Sequence, residues 1–92
     1  MVLYYEFELR IHSIESLKEK RNVLKSLLQK LRQKYRISGA EIGIHDQKSF
    51  AIIGVAIVGN DGVYLETVIN DVIQFIEINY QIDIIDYKKT YL

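Results

Sequence analysis

Cysteine, proline and tryptophan are all missing from this 92-residue chain, and methionine occurs once. Without cysteine there is no disulfide framework and no thiolate chemistry, and the redox compartment is left open. No repeat, low-complexity tract or linker interrupts the sequence, so residues 1–92 are expected to form a single domain. Net charge is absent too, with 12 Lys and Arg against 12 Asp and Glu. The N-terminal stretch MVLYYEFELR has acids within a few positions and no long apolar run, unlike a secretory signal or a membrane span. A cytoplasmic protein without membrane contact is therefore expected. A chain of this size buries roughly two thirds of its unfolded surface in one core, which leaves little for a deep substrate cleft. An enzyme, a small-molecule substrate and a cofactor are accordingly not expected.

What is present is an uneven distribution of charge. The segment from Leu17 to Arg36 holds eight basic residues and one acid, Glu19, whereas the rest of the chain holds four basic and eleven acidic residues. Within it Leu17, Leu24, Leu27, Leu28, Leu31 and Tyr35 recur at three- and four-residue spacings, which predicts a helix with one apolar arc. Lys18, Arg21, Lys25, Arg32 and Arg36 recur with the same period as a basic stripe beside it. Ser16 and Glu19 supply a capping box, in which the Ser accepts the backbone N–H three residues on and the Glu reaches back to the Ser N–H. Screening confines charge interactions to about 8–10 Å at physiological salt, so such a face can meet a polyanion even though the whole chain is neutral.

Taken in order, Val2 to Ile11 alternates Leu3, Tyr5, Phe7, Leu9 and Ile11 against Tyr4, Glu6, Glu8 and Arg10, which predicts a strand with one buried face. Ile37 to Ile44 is a weaker strand signal, since Gly39 and Gly43 lower its propensity. His45 to Lys48 has the length of a hairpin loop, and Phe50 to Val58, apolar on both faces, reads as a central strand. After Gly59 to Gly62, with Asn60 or Asp61 as cap, a second helix runs to about Asn79 with an acidic side of Glu66, Asp71 and Glu77. Asp61, Glu66 and Asp71 are expected to cap and decorate that helix, because an acid at its N-terminus is favoured by the helix dipole. Residues 81–92 read as a last, edge strand. The order βαββαβ, with right-handed crossovers, gives an α+β, ferredoxin-like split βαβ domain. Its antiparallel sheet has strand order 4-1-3-2, with both helices on one face.

At SLKEKR followed by KSLLQKLRQKY, then ISGAEIG, then GVAIVGND, the chain resembles the bacterial YlxP-like family, a domain of unknown function. Ser16, Leu17, Lys18, Lys20 and Arg21 match its SLKxKR box, and the similarity runs from about Leu9 to Ile85. Between Gly43 and Ala51 the chain departs from the pattern, with IHDQKSF where relatives tend to carry an acidic residue, aromatics and glutamine. The resemblance implies a small ferredoxin-like cytoplasmic protein. Its relatives are often encoded beside transcription-elongation, translation-initiation and ribosome-maturation factors. It carries over no catalytic residue.

Two expectations follow. In the first, the protein is a non-catalytic accessory factor that binds RNA or a ribonucleoprotein, such as the ribosome, through Lys18, Lys20, Arg21, Lys25, Arg32 and Arg36. Little base specificity is expected, because no basic face is interleaved with aromatics. In the second, it is an interaction module that homodimerises through the open face or an edge of its sheet, with Tyr4, Phe50, Ile52, Ala56 and Val58 as the interface. His12 and His45 are expected to be solvated loop residues roughly 9–10 Å apart at the backbone, too wide for easy sharing of a metal ion.

Overall fold

A computed structural model describes residues Met1–Leu92. The elements are β1 (Val2–Ile11), α1 (Leu17–Tyr35), β2 (Ser38–Gly43), β3 (Phe50–Val58), α2 (Gly62–Asn79) and β4 (Ile82–Tyr91). They form a four-stranded sheet in the order β2-β3-β1-β4, antiparallel throughout, which is the expected ferredoxin-like order seen from its other edge.

Alternation along β1 decides which face is covered. Leu3, Phe7 and Leu9 are fully buried under the helices, while Tyr4, Glu6 and Glu8 on the other face stay half-buried. Pairing of Val2 with Val58 through Arg10 with Phe50 puts the two central strands in one register, so Ala51, Ile53, Val55 and Ile57 join the same core. The helices close it with Leu24, Leu27, Leu28 and Leu31 from α1 and Leu65, Ile69, Val72 and Ile76 from α2.

Each helix starts where a side chain can take its free N–H groups. Ser16 Oγ accepts from Glu19 N at 3.1 Å, but Glu19 Oε2 accepts from Glu15 N at 2.7 Å, not from Ser16 as the capping-box expectation had it. Asp61 is the cap of α2, and its Oδ1 accepts from Val63 N and Tyr64 N at 3.0 and 3.4 Å. α1 stops at Arg36, which turns left-handed with φ 52°. β2 is shorter than expected at both ends. Ile37 turns into the core, and Ile44 has left the strand with φ 58°. Gly39 lets α1 approach closely, since a Cβ there would lie 3.2 Å from Leu28 Cδ2.

Glu66 does more than decorate α2. Its carboxylate accepts from Tyr5 Oη at 3.0 Å and from Lys89 Nζ at 2.7 Å, and so ties α2 to β1 and β4. Tyr5 is buried, stacked on Phe7 at 5.3 Å and tilted against Tyr87 at 5.7 Å. Burial first, and the Glu66 carboxylate second, push the Tyr5 phenol up to about 12. The Lys89 hydrogen bond holds Glu66 below the usual carboxylate value.

These shifts fix the alkaline behaviour. Tyrosine in the unfolded chain ionises near pH 10. Between pH 10 and about 12 the folded chain therefore keeps a proton that the unfolded chain has lost. Stability from this group is intact below that window and falls as pH rises through it. Tyr5→Phe should lose about 1 kcal/mol at neutral pH. Its melting temperature, followed by circular dichroism, should then fall less steeply than that of the unchanged chain as the pH is raised through the window.

Candidate nucleic-acid interface

α1 offers its side chains at about 100° per residue, which sorts them into arcs. Leu24, Leu27, Leu28 and Leu31 occupy the buried arc, and Lys18, Arg21, Lys25 and Arg32 fall on one neighbouring arc, all exposed; Arg36, exposed as well, follows as the left-handed cap of the helix. That arc borders β2, where Arg32 Nη2 donates to Gly39 O at 2.7 Å. Lys30 and Lys34 lie on the opposite flank, against α2.

The ion pairs of the fold lie elsewhere. They join His12 to Asp83, Lys20 to Glu41 and Lys89 to Glu66. None of the seven exposed cations from Lys18 to Arg36 has a carboxylate oxygen within 4.0 Å. The sole acid of the helix, Glu19, is turned back to the Glu15 amide. These five residues are thus a row of unneutralised charge, four on the helix and one at its cap, in reach of water.

Lys20 has to be removed from the predicted phosphate contacts. It is 1% exposed, and its Nζ donates to Ile44 O and Gln47 O, each at 2.6 Å, with Glu41 Oε2 at 3.4 Å. Its place on the helix explains this. Lys20 precedes Leu24, Leu27 and Leu31 by four, seven and eleven residues, so it points along the buried arc and not along the stripe. There it meets the β2–β3 connection. Ile44, a β-branched residue in the left-handed region, costs on the order of 1–2 kcal/mol, and the ammonium holds its carbonyl in place.

Aromatic residues do lie beside basic ones, contrary to expectation, but on the flank away from the stripe. Lys30 Nζ sits 5.6 Å from the centre of the Tyr80 ring, and Lys34 Nζ sits 5.8 and 5.4 Å from Tyr35 and Phe75. These rings are partly buried in the α1–α2 seam and pack on one another, with Tyr35 and Phe75 edge to face. The sequence places Phe75 and Tyr80 on a different helix, so only the fold brings them to Lys30 and Lys34.

The residues read as a partner interface all lie on the sheet face opposite the helices. Tyr4 pairs with Ala56, Arg10 with Phe50 and Val2 with Val58, while Ile52 stands opposite Glu8. Val58 is well exposed and the other four are half-buried. Tyr4 lies over Gly54, where a Cβ would come within 2.9 Å of its hydroxyl, and its Oη donates to Glu6 Oε2 at 3.2 Å. Glu6 and Glu8 make this face unsuited to phosphates. His12 Nε2 and Asp83 Oδ2 are 2.7 Å apart, whereas His45 is exposed in the β2–β3 connection, and no group of three or more His, Cys, Asp or Glu side chains converges.

The family model described as a protein of unknown function (DUF503) matches residues 2–89. The chain is 36% identical over 77 residues to the uncharacterized protein YlxP of Bacillus subtilis (strain 168), an alignment that covers 84% of each chain.

Removing the buried ammonium should unfold the loop before it affects the helix. Lys20→Met, by leaving two carbonyls and the Glu41 carboxylate without their donor, should cost roughly 2–3 kcal/mol in a urea titration. Amide hydrogen exchange should speed up most over residues 44–49.

Proposed function

The chain belongs to the DUF503 family of unknown function, and we propose that it is a non-catalytic cytoplasmic accessory protein that binds RNA or a ribonucleoprotein through the β2-side flank of α1. The observation that carries this reading is the row of Lys18, Arg21, Lys25, Arg32 and Arg36, exposed and without carboxylate partners. A neutral chain that needed these cations for solubility alone would gain by interspersing acids among them. Concentrating one sign on one flank instead creates a local potential that attracts a polyanion.

The geometry supports backbone contact and little base reading. The row follows one side of a helix, so its charges meet successive phosphates, and Arg32 is already positioned by Gly39 O. The aromatic rings lie on the far flank with cations over them. The ribosome-related gene setting implied by the resemblance to YlxP-like proteins favours a structured RNA as the polyanion.

The test is fluorescence anisotropy of a labelled structured RNA titrated at two salt concentrations. Five phosphate contacts predict that the logarithm of affinity falls with the logarithm of salt with a slope of about −3.5 to −4.5. Changing Lys18, Arg21 and Lys25 together to Glu spares the Arg32 bond and should abolish binding. Lys20→Met should leave affinity unchanged while the chain is folded. Binding that survives the triple reversal would refute the assignment.

A further inference from the structure

The outer edge of β4 has no partner strand, although the strand runs for ten residues. Val2 and Leu92 exchange both backbone hydrogen bonds, at 3.1 and 2.8 Å. In an antiparallel ladder the bonded pairs alternate, so Thr90 and Lys88 turn their N–H and C=O groups to β1, while Tyr91, Lys89 and Tyr87 turn theirs outward. The Tyr87 N–H is taken at 2.8 Å by its neighbour's side chain, Asp86 Oδ1, which substitutes for the absent strand. Tyr87 itself is 59% exposed.

The sequence along this edge complements itself. Asp86 and Lys88 pair with Glu8 and Glu6 of β1 and so share the open face of the sheet. Set a second copy antiparallel about a two-fold axis at Tyr87, and each Asp86 stands opposite the other copy's Lys88. Neighbouring registers that keep the faces matched put Asp86 against Asp86, Lys88 against Lys88 or Lys89 against Lys89, which like charges disfavour. We propose that the protein self-associates by pairing β4 with β4 of a second copy in this Tyr87-centred register, forming one continuous sheet of two chains. On pairing, the Tyr87 N–H donates to the second copy's Tyr87 carbonyl, and the released Asp86 carboxylate turns to the second copy's Lys88. The exposed Tyr87 rings then lie side by side on the helix face, next to the Glu66–Lys89 ties that fix α2. The basic flanks of α1, which packs over β2, remain at the two outer ends.

The charge pattern supplies a test that does not depend on RNA. Molar mass is measured by sedimentation equilibrium for the unchanged chain, for Asp86→Lys, for Lys88→Asp, and for the two variants mixed in equal amounts. The unchanged chain should be a dimer. Each variant alone should associate at least about tenfold more weakly, since both cross-strand contacts then join like charges. The mixture should recover the dimer as a heterodimer, because every contact between positions 86 and 88 is again of opposite sign. Both positions are exposed, and unchanged circular dichroism spectra would verify the fold. A monomeric unchanged chain would overturn the proposal. So would a dimer that persists equally in both variants, or a mixture that stays monomeric.

Discussion

Both crossovers of a split βαβ chain turn the same way, so α1 and α2 must lie on one face of the sheet. The rest of the molecule depends on that constraint. One face of β1 and of β3 is drawn into a core rich in leucine, isoleucine and valine, to which β4 adds Ile82, and the opposite face is left open. Because β1 and β3 take the centre, the borders fall to β2 and β4, and each helix lies over one border. α1 packs against β2 and α2 against β4, so the basic flank and the β4 edge sit at opposite ends of the sheet.

Within α1 the same residue type serves three purposes according to its angle on the helix. Lys20, along the buried arc, is a structural donor whose charge is absorbed by two carbonyls and Glu41. Lys30 and Lys34, on the α2 flank, lie over aromatic faces and shield the seam between helices. Lys18 and Lys25, on the β2 flank, meet only solvent. A count of positive charge in this segment therefore overstates what is available to a partner.

Period and capping carried most of the fold in the sequence. The strict alternation of β1, the leucine spacing of α1 and the polar stops at Ser16 and Asp61 are local signals, and each element formed where its signal lay. The ends of β2 were less legible, because Ile37 and Ile44 look like strand residues while their backbones answer to the core and to Lys20. The burial of Lys20 is legible in its spacing to Leu24, Leu27 and Leu31, while its charge alone sets it beside Arg21 among the basic residues. The Tyr5–Glu66–Lys89 tie spans three elements, and no local pattern announces it. The same holds for the aromatic seam beside Lys30 and Lys34.

The β2–β3 connection is held by an ammonium that grips main-chain oxygens of residues 44 and 47. A carbonyl is common to every amino acid, so this anchor is blind to which side chains the connection carries. The turn can exchange its exposed residues, His45, Asp46 and Gln47 among them, without loosening its attachment to α1. Such an arrangement separates the shape of a loop from its chemistry. A fixed lysine on the helix guarantees the path of the backbone, and the residues facing outward are free to diverge between one chain and another.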